Sequence, residues 1–274
     1  DIEQDVWVRL INGNFLEAAV RSVASKLPST MTASESREWL GVTWDQWFAA
    51  VTHQEWSPLP IQGDVQNADA AQSLIDTCGN EFGSVDILVN NAGVFKVPNP
   101  ITSDGLDLRF MVNTLAPYLL TKRLLPLMDK TGRVINLSSA AQAPVDLSAF
   151  QGKLNLSDSA AYAQSKVALT MWSRHMADTL ENGPAIIAVN PGSFLGTKMV
   201  KEAYGSAGKD IGIGSEILTR LATAPKYADA NGAYFDNDSG DFGSPHPDAR
   251  NPQKIKQLTD LMEAMLPALL KEKE

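Results

Sequence analysis

Tyr162 and Lys166 stand four residues apart in Ser159 to Ala177, SAAYAQSKVALTMWSRHMA, a stretch of helical character led by Asp158. An α-helix turns once in about 3.6 residues, so side chains at this spacing share a face and can touch one small ligand. A phenol is a feeble acid or base near neutrality, with an ordinary pKa of about 10. An ammonium within a few ångström favours the phenolate and brings that value toward a useful range. Such a pair can move a proton. An amphipathic helix with a packed Tyr and a solvated Lys would carry the same two residues, so the rest of the chain must decide.

Three further motifs each follow an apolar run. Val85 to Val89 leads into Asn90-Asn91-Ala92-Gly93, and Gly132-Arg133-Val134-Ile135-Asn136-Leu137 leads into Ser138-Ser139. Ala185 to Val189 leads into Asn190-Pro191-Gly192, with Thr197 beyond it. Short apolar runs of this kind read as buried parallel strands. Small residues where such strands end let a ligand lie against the backbone, at the place where open α/β sheets bind theirs. In this order the four motifs resemble the short-chain dehydrogenase/reductase family, nearest to its retinol-dehydrogenase-like members, over roughly residues 58 to 266. The resemblance implies an α/β fold with a doubly wound, Rossmann-like parallel sheet in one domain spanning 1–274. It also implies hydride transfer between NADP or NAD and a small carbonyl or alcohol substrate.

On that resemblance Ser139 holds the substrate oxygen, with Ser138 beside it as the lesser candidate. Tyr162 gives or takes the proton, and Lys166 lowers the Tyr162 pKa while binding the ribose hydroxyls. Ser103 to Leu125 reads as one long helix containing Pro117, which has no N–H for the carbonyl of Asn113, so the helix should bend there. The family uses that carbonyl to hold a water joining the lysine to solvent. Asp64 would meet the adenine with Val65 next to it, although Asp64 equally suits the N-cap of a helix from about Asn67 to Phe82. Asn90 braces the sheet at the cofactor site while Ala92 and Gly93 face the ribose and nicotinamide. Pro191 and Gly192 pack under the nicotinamide, and the Thr197 hydroxyl meets its carboxamide or the phosphates. Ala140 to Ala161 is read as a wall of the substrate pocket and Met199 to Lys209 as a mobile lid.

The first 57 residues do not join the resemblance. Val6 to Ile11 suits a first strand, yet the turn after it offers only Gly13, where the family brings three glycines close to the cofactor pyrophosphate. The N-terminal βα units are therefore atypical. Either an altered reading frame or splice replaced them, or the segment has diverged and binds the cofactor differently. If binding is lost, the alternative is a catalytically silent sensor or scaffold on the same fold. A serine hydrolase is weaker still, since no G-x-S-x-G is present and no motif links His53, His175 or His246 to a serine.

A chain of 274 residues with 44% hydrophobic and 20% charged residues can build a core. Its net charge of −9 argues against nucleic acid or anionic membrane as a main partner. The single cysteine, Cys78, allows no internal disulfide, reads as packing and suits a reducing compartment. No run approaches the roughly 20 apolar residues of a membrane span, and the start lacks a secretory pattern. A cytoplasmic protein is expected, with further residues upstream of Asp1. Gly208, Gly212 and Gly214 imitate the missing fingerprint but lack a preceding strand. Asp236 to Asp241 imitates a calcium loop, yet Pro247 stands where the twelfth-position Glu is required, so an exposed acidic turn and no metal are expected. Gly232 to Phe235 supplies the last strand and Pro252 to Met265 a closing amphipathic helix. The family's habit of pairing two long helices implies a homodimer or homotetramer.

Overall fold

The apolar runs become neighbouring parallel strands in a computed structural model of the chain, which describes residues 83–269 together with Ile75, Asp76 and Asn80. Asp64, Val65, Cys78 and the anomalous leading segment lie outside these residues. The first three strands are β1 (Ile87–Asn90), β2 (Arg133–Leu137) and β3 (Ala185–Asn190). Asn90 pairs with Asn136, and Leu137 with Val189, so the strands finish nearly level and carry their exit loops to one edge. β4 (Tyr234–Asp236) extends the sheet in parallel beside β3, and the order is β1-β2-β3-β4-β5.

β5 (Asp241–Phe242) runs antiparallel to β4 and makes the otherwise parallel sheet mixed at that edge. The acidic turn closes a hairpin rather than ending the last strand. Phe242 then packs edge-on against Phe235, 5.2 Å between ring centres.

Alternation along the strands makes two cores. Leu88, Val134 and Ile186 face one side, while Ile87, Ile135, Ile187 and Val189 face the other, as a period of two requires. The first side is covered by α2 (Ala116–Leu124), α4 (Asp158–Thr179) and α7 (Pro252–Leu269). The second is covered by α6 (Gly212–Thr223) through Ile217 and Leu221. Helices on both faces give the layered α/β architecture that was expected. α4 is buried nearly all round from Ala163 to Ser173, which marks a central helix rather than a surface one. Its outer side is closed by Ile255, Leu258, Met262 and Leu266 of α7, spaced along one helical face. Among the described residues no helix is long and apolar enough to cross a membrane.

The long helix expected from Ser103 begins later and is broken. Gly105, at φ +80, turns the chain after Thr102, and Ile101 bridges Asp107. Asp107 then caps α1 (Leu108–Phe110) by accepting from the Arg109 N–H at 2.8 Å. A wide π turn, Met111–Leu115, joins α1 to α2, and Pro117 sits in the first turn of α2. The proline is accommodated by lengthening one turn, with the Ala116 N–H reaching back to the Met111 carbonyl. Asn113 lies inside that turn.

Candidate active site

Strand β2 and helix α4 make the centre of the site. The carbonyl of Leu137, the last residue of β2, accepts a hydrogen bond from Lys166 Nζ at 2.7 Å. Lys166 is only 4% exposed, and burial lowers its pKa from 10.5 to about 8, because a low-dielectric surrounding disfavours the charged form. Its Nζ lies 5.6 Å from the centre of the Tyr162 ring, so the two residues do share a face.

The Tyr162 phenol behaves differently from the expectation. Burial is the largest influence on it and raises its pKa; the Ser139 hydroxyl, hydrogen-bonded to it, acts in the opposite direction, and the nearby Tyr204 adds to the rise. Lys166 was expected to pull the phenol down, yet its ammonium is engaged by a main-chain carbonyl and desolvation prevails. A phenol whose pKa is raised in this way keeps its proton at neutral pH.

The tandem serines part company. Ser138 turns inward, pairing with Thr170 Oγ1 at 2.8 Å and donating to the Lys166 carbonyl at 3.2 Å. Ser139 turns outward to Tyr162, and its oxygen also accepts from the Ala141 N–H at 3.1 Å. Its carbonyl accepts from the Tyr234 hydroxyl at 3.1 Å, which fixes the loop after β2 against β4.

Asn113 is fully buried, and its amide stitches three segments together. Its Oδ1 accepts from the Val94 N–H at 2.8 Å, and its Nδ2 donates to the Val94 carbonyl and to Ser165 Oγ, both at 2.9 Å. The side chain holds the loop after β1 against α4, next to Lys166. Gly93 in that loop is close to both: a β-carbon there would come 3.4 Å from Lys166 Nζ and 3.5 Å from Asn113 Oδ1. Ala92 is half-buried beside it. Asn90 points into the fold, donating to Thr121 Oγ1 at 3.0 Å and to Asn136 Oδ1 at 2.7 Å; Asn136 passes the chain on to Ser173 Oγ at 2.8 Å. That polar ladder braces β1 and β2 against α2 and α4.

Across the strand ends, Asn190-Pro191-Gly192 leaves β3 with Gly192 at φ +129. Thr197 caps α5 (Lys198–Tyr204), its hydroxyl accepting from the Val200 N–H at 3.4 Å. The lid expected over Met199 to Lys209 thus contains a short helix. Sequence reasoning missed what holds the Pro-Gly loop. Asp238, in the acidic turn that is exposed as expected, accepts from Asn190 Nδ2 and from the Ser193 N–H, both at 2.9 Å. Asp236 accepts from the same Asn190 amide at 2.8 Å, and Asn237 Nδ2 donates to the Pro191 carbonyl at 2.9 Å. These carboxylates hold a loop. Among the described residues no group of three or more His, Cys, Asp or Glu is placed to hold a metal.

The geometry thus brings Ser139, Tyr162, Lys166, Asn113 and Gly93 to one end of the sheet. A family model described as short chain dehydrogenase matches residues 42–208. The chain belongs to that family. The match opens ahead of residue 58, so it enters the segment set apart as anomalous, and it closes well before residue 266. Human retinol dehydrogenase 13 is 31% identical over 196 residues, covering 64% of this chain and 58% of that protein. Polyprenol dehydrogenase from Danio rerio is 43% identical over 117 residues, covering 39% of this chain and 36% of its own length. The chain therefore spans well under two thirds of these relatives, and the likeness to a retinol dehydrogenase agrees with the subgroup expected from the motifs. An NADPH-bound carbonyl reductase from chicken fatty liver shares the fold, with a TM-score of 0.54 and 19% identity over 80% of this chain and 85% of that one.

Proposed function

We propose that the chain is an NAD(P)-dependent oxidoreductase that transfers a hydride between a nicotinamide cofactor and a carbonyl or alcohol. The observation that carries this reading is the Ser139 hydroxyl placed beside the Tyr162 phenol, with Lys166 Nζ on the same helix face 5.6 Å from the Tyr162 ring. A substrate oxygen set between the two hydroxyls would accept from both. In the reducing direction Tyr162 gives its proton to that oxygen as negative charge develops there. The neighbouring ammonium then stabilises the phenolate left behind. Asn113 holds the loop in front of Lys166, and its main-chain carbonyl, denied a partner four residues on by Pro117, is suited to hold a water leading from Lys166 to solvent.

The residues fit a nicotinamide nucleotide. Gly93 leaves a shallow cradle in front of Lys166 that a β-carbon would fill, and Gly192 takes a backbone conformation that other residues avoid. Lys166, Ala92, Gly93, Pro191, Gly192 and Thr197 would hold the group, with Asn90 bracing the strand end behind it; the adenine contact that the resemblance implies for Asp64 and Val65 falls outside the described residues. Once bound, the nicotinamide supplies or accepts the hydride. Two relatives are named for retinol and polyprenol, which supports an apolar alcohol or its carbonyl as the substrate class.

Tyr162→Phe removes the proton and keeps the ring, so turnover should fall to background while circular dichroism is unchanged. Undiminished activity in that variant overturns the assignment. The second reading, a silent scaffold, is favoured by the single Gly13 where the pyrophosphate turn belongs. Fluorescence titration with NADPH and NADH decides between them, since failure of both to bind supports the scaffold.

A further inference from the structure

Four aromatic rings follow one another in contact from the candidate proton donor to the surface. Phe95 meets Tyr162 edge-on at 5.0 Å between ring centres, and Tyr204 stacks on Phe95 at 5.9 Å and 25°. Phe194 tilts against Tyr204 at 5.3 Å. The rings come from four separate places: α4, the loop after β1, the last residue of α5 and the loop after β3. Rings contributed from such distant points do not align through local periodicity.

Three features hold the row in place. Lys96 Nζ donates to the Ala203 carbonyl at 2.9 Å, tying the end of α5 to the loop that carries Phe95. Gly205, at φ +63, ends α5 immediately after Tyr204. Phe194 has φ +58 and is the only non-glycine residue with positive φ among the described residues. A bulky side chain adopts that conformation only when its surroundings compel it, and such outliers gather where ligands bind. Phe95 is 6% exposed, whereas Tyr204 and Phe194 are 57% and 55% exposed. The inner ring is covered and the outer two present open apolar surface beside the site. The Tyr204 phenol also lies near enough to act on that of Tyr162.

We propose that Tyr204, backed by Phe95 and flanked by Phe194, is the specificity-determining residue of the site and selects substrates that carry a flat unsaturated ring next to the reacting oxygen. The proposal rests on the oxidoreductase reading for where that oxygen sits. Aromatic rings gain from offset or edge contact beyond what buried area provides. A saturated ring of equal size has the area without the complementary charge distribution. A hydroxyl-rich body would set polar groups against rings that cannot bond them.

The test is equilibrium binding of 2-naphthalenemethanol and of its decahydro analogue to the full chain, in the presence and absence of NADPH. An alcohol with reduced cofactor cannot react, so binding alone is read. Wild type should prefer the aryl alcohol. Tyr204→Ala should lower that preference by about twofold to tenfold, the range one ring contact is worth, and Tyr204→Phe should keep it. Circular dichroism confirms folding of these variants at an exposed position. No aryl preference in wild type, or an unchanged one in Tyr204→Ala, overturns the proposal. If Tyr162→Phe abolishes turnover while Tyr204→Ala leaves the preference intact, the aromatic wall is wrong and the oxidoreductase reading stands. If the preference falls as expected but wild type turns over no carbonyl or alcohol, the wall is upheld and the activity reading fails.

Discussion

Lys166→Met should make the folded chain more stable at neutral pH while removing its turnover. The ammonium is 4% exposed, and burial lowers its pKa from 10.5 to about 8. At about 1.4 kcal/mol per pKa unit, keeping it charged in the fold at pH 7 costs roughly 3 kcal/mol. Methionine retains an unbranched stem to fill the space, but leaves the Leu137 carbonyl without its donor, an offset of about 1 kcal/mol or more. The net gain should be about 1–2 kcal/mol. Because the folded pKa lies below the unfolded one, the unfolded wild-type chain binds the extra proton between about pH 8 and 10.5, and wild-type stability recovers as pH rises through that window. The variant's advantage is therefore full below pH 8 and shrinks toward pH 10.5. Urea unfolding followed by tryptophan fluorescence at pH 7 and at pH 10 measures both ends, and charges common to the two proteins cancel in the difference. A variant less stable than wild type at pH 7, or a difference that stays flat across the window, refutes the burial penalty.

Ser138→Ala should cost about 1 kcal/mol of stability or somewhat more, because it empties a buried pairing with Thr170, and should leave turnover within a few-fold. Ser139→Ala should do the reverse, lowering kcat with little change in Tm, and the opposite pattern would exchange the roles of the serines. Asp238→Ala frees Asn190 and Ser193 from their anchor, so NADPH should bind several-fold more weakly by fluorescence titration; an unchanged Kd would show that the clamp does not shape the cofactor loop. Carbonyl reduction should decline as pH passes about 8, where Lys166 loses its charge, and a flat pH–rate profile would argue against an ammonium beside the phenolate.

Much of this site was legible before any coordinates. Strand ends could be placed because Val85 to Val89, Arg133 to Leu137 and Ala185 to Val189 are apolar runs stopped by small or polar residues. The helix period alone put Tyr162 and Lys166 on one face. The helix expected from Ser103 failed because a glycine turn at Gly105 and a cap at Asp107 delay its start, and both need the chain's neighbours to be recognised. Asp238 lies in an exposed turn as expected, but its tie to Asn190 was not legible, because the two are 48 residues apart and no spacing rule connects a hairpin tip to a strand exit. Ser138 and Ser139 are adjacent and alike; the resemblance favoured Ser139, and the pairing of Ser138 with Thr170 supplies a physical reason that their residue types do not.

Residue order specified the fold family, the strand exits and the phenol–ammonium pair, since these depend on local periodicity and on side-chain chemistry. The directions in which the Tyr162 and Lys166 pKa values move, and the aromatic contacts from Tyr162 to Phe194, were settled by folding alone. Desolvation is a property of everything packed around a group, and in this site it outweighs the neighbouring charge that the sequence advertises.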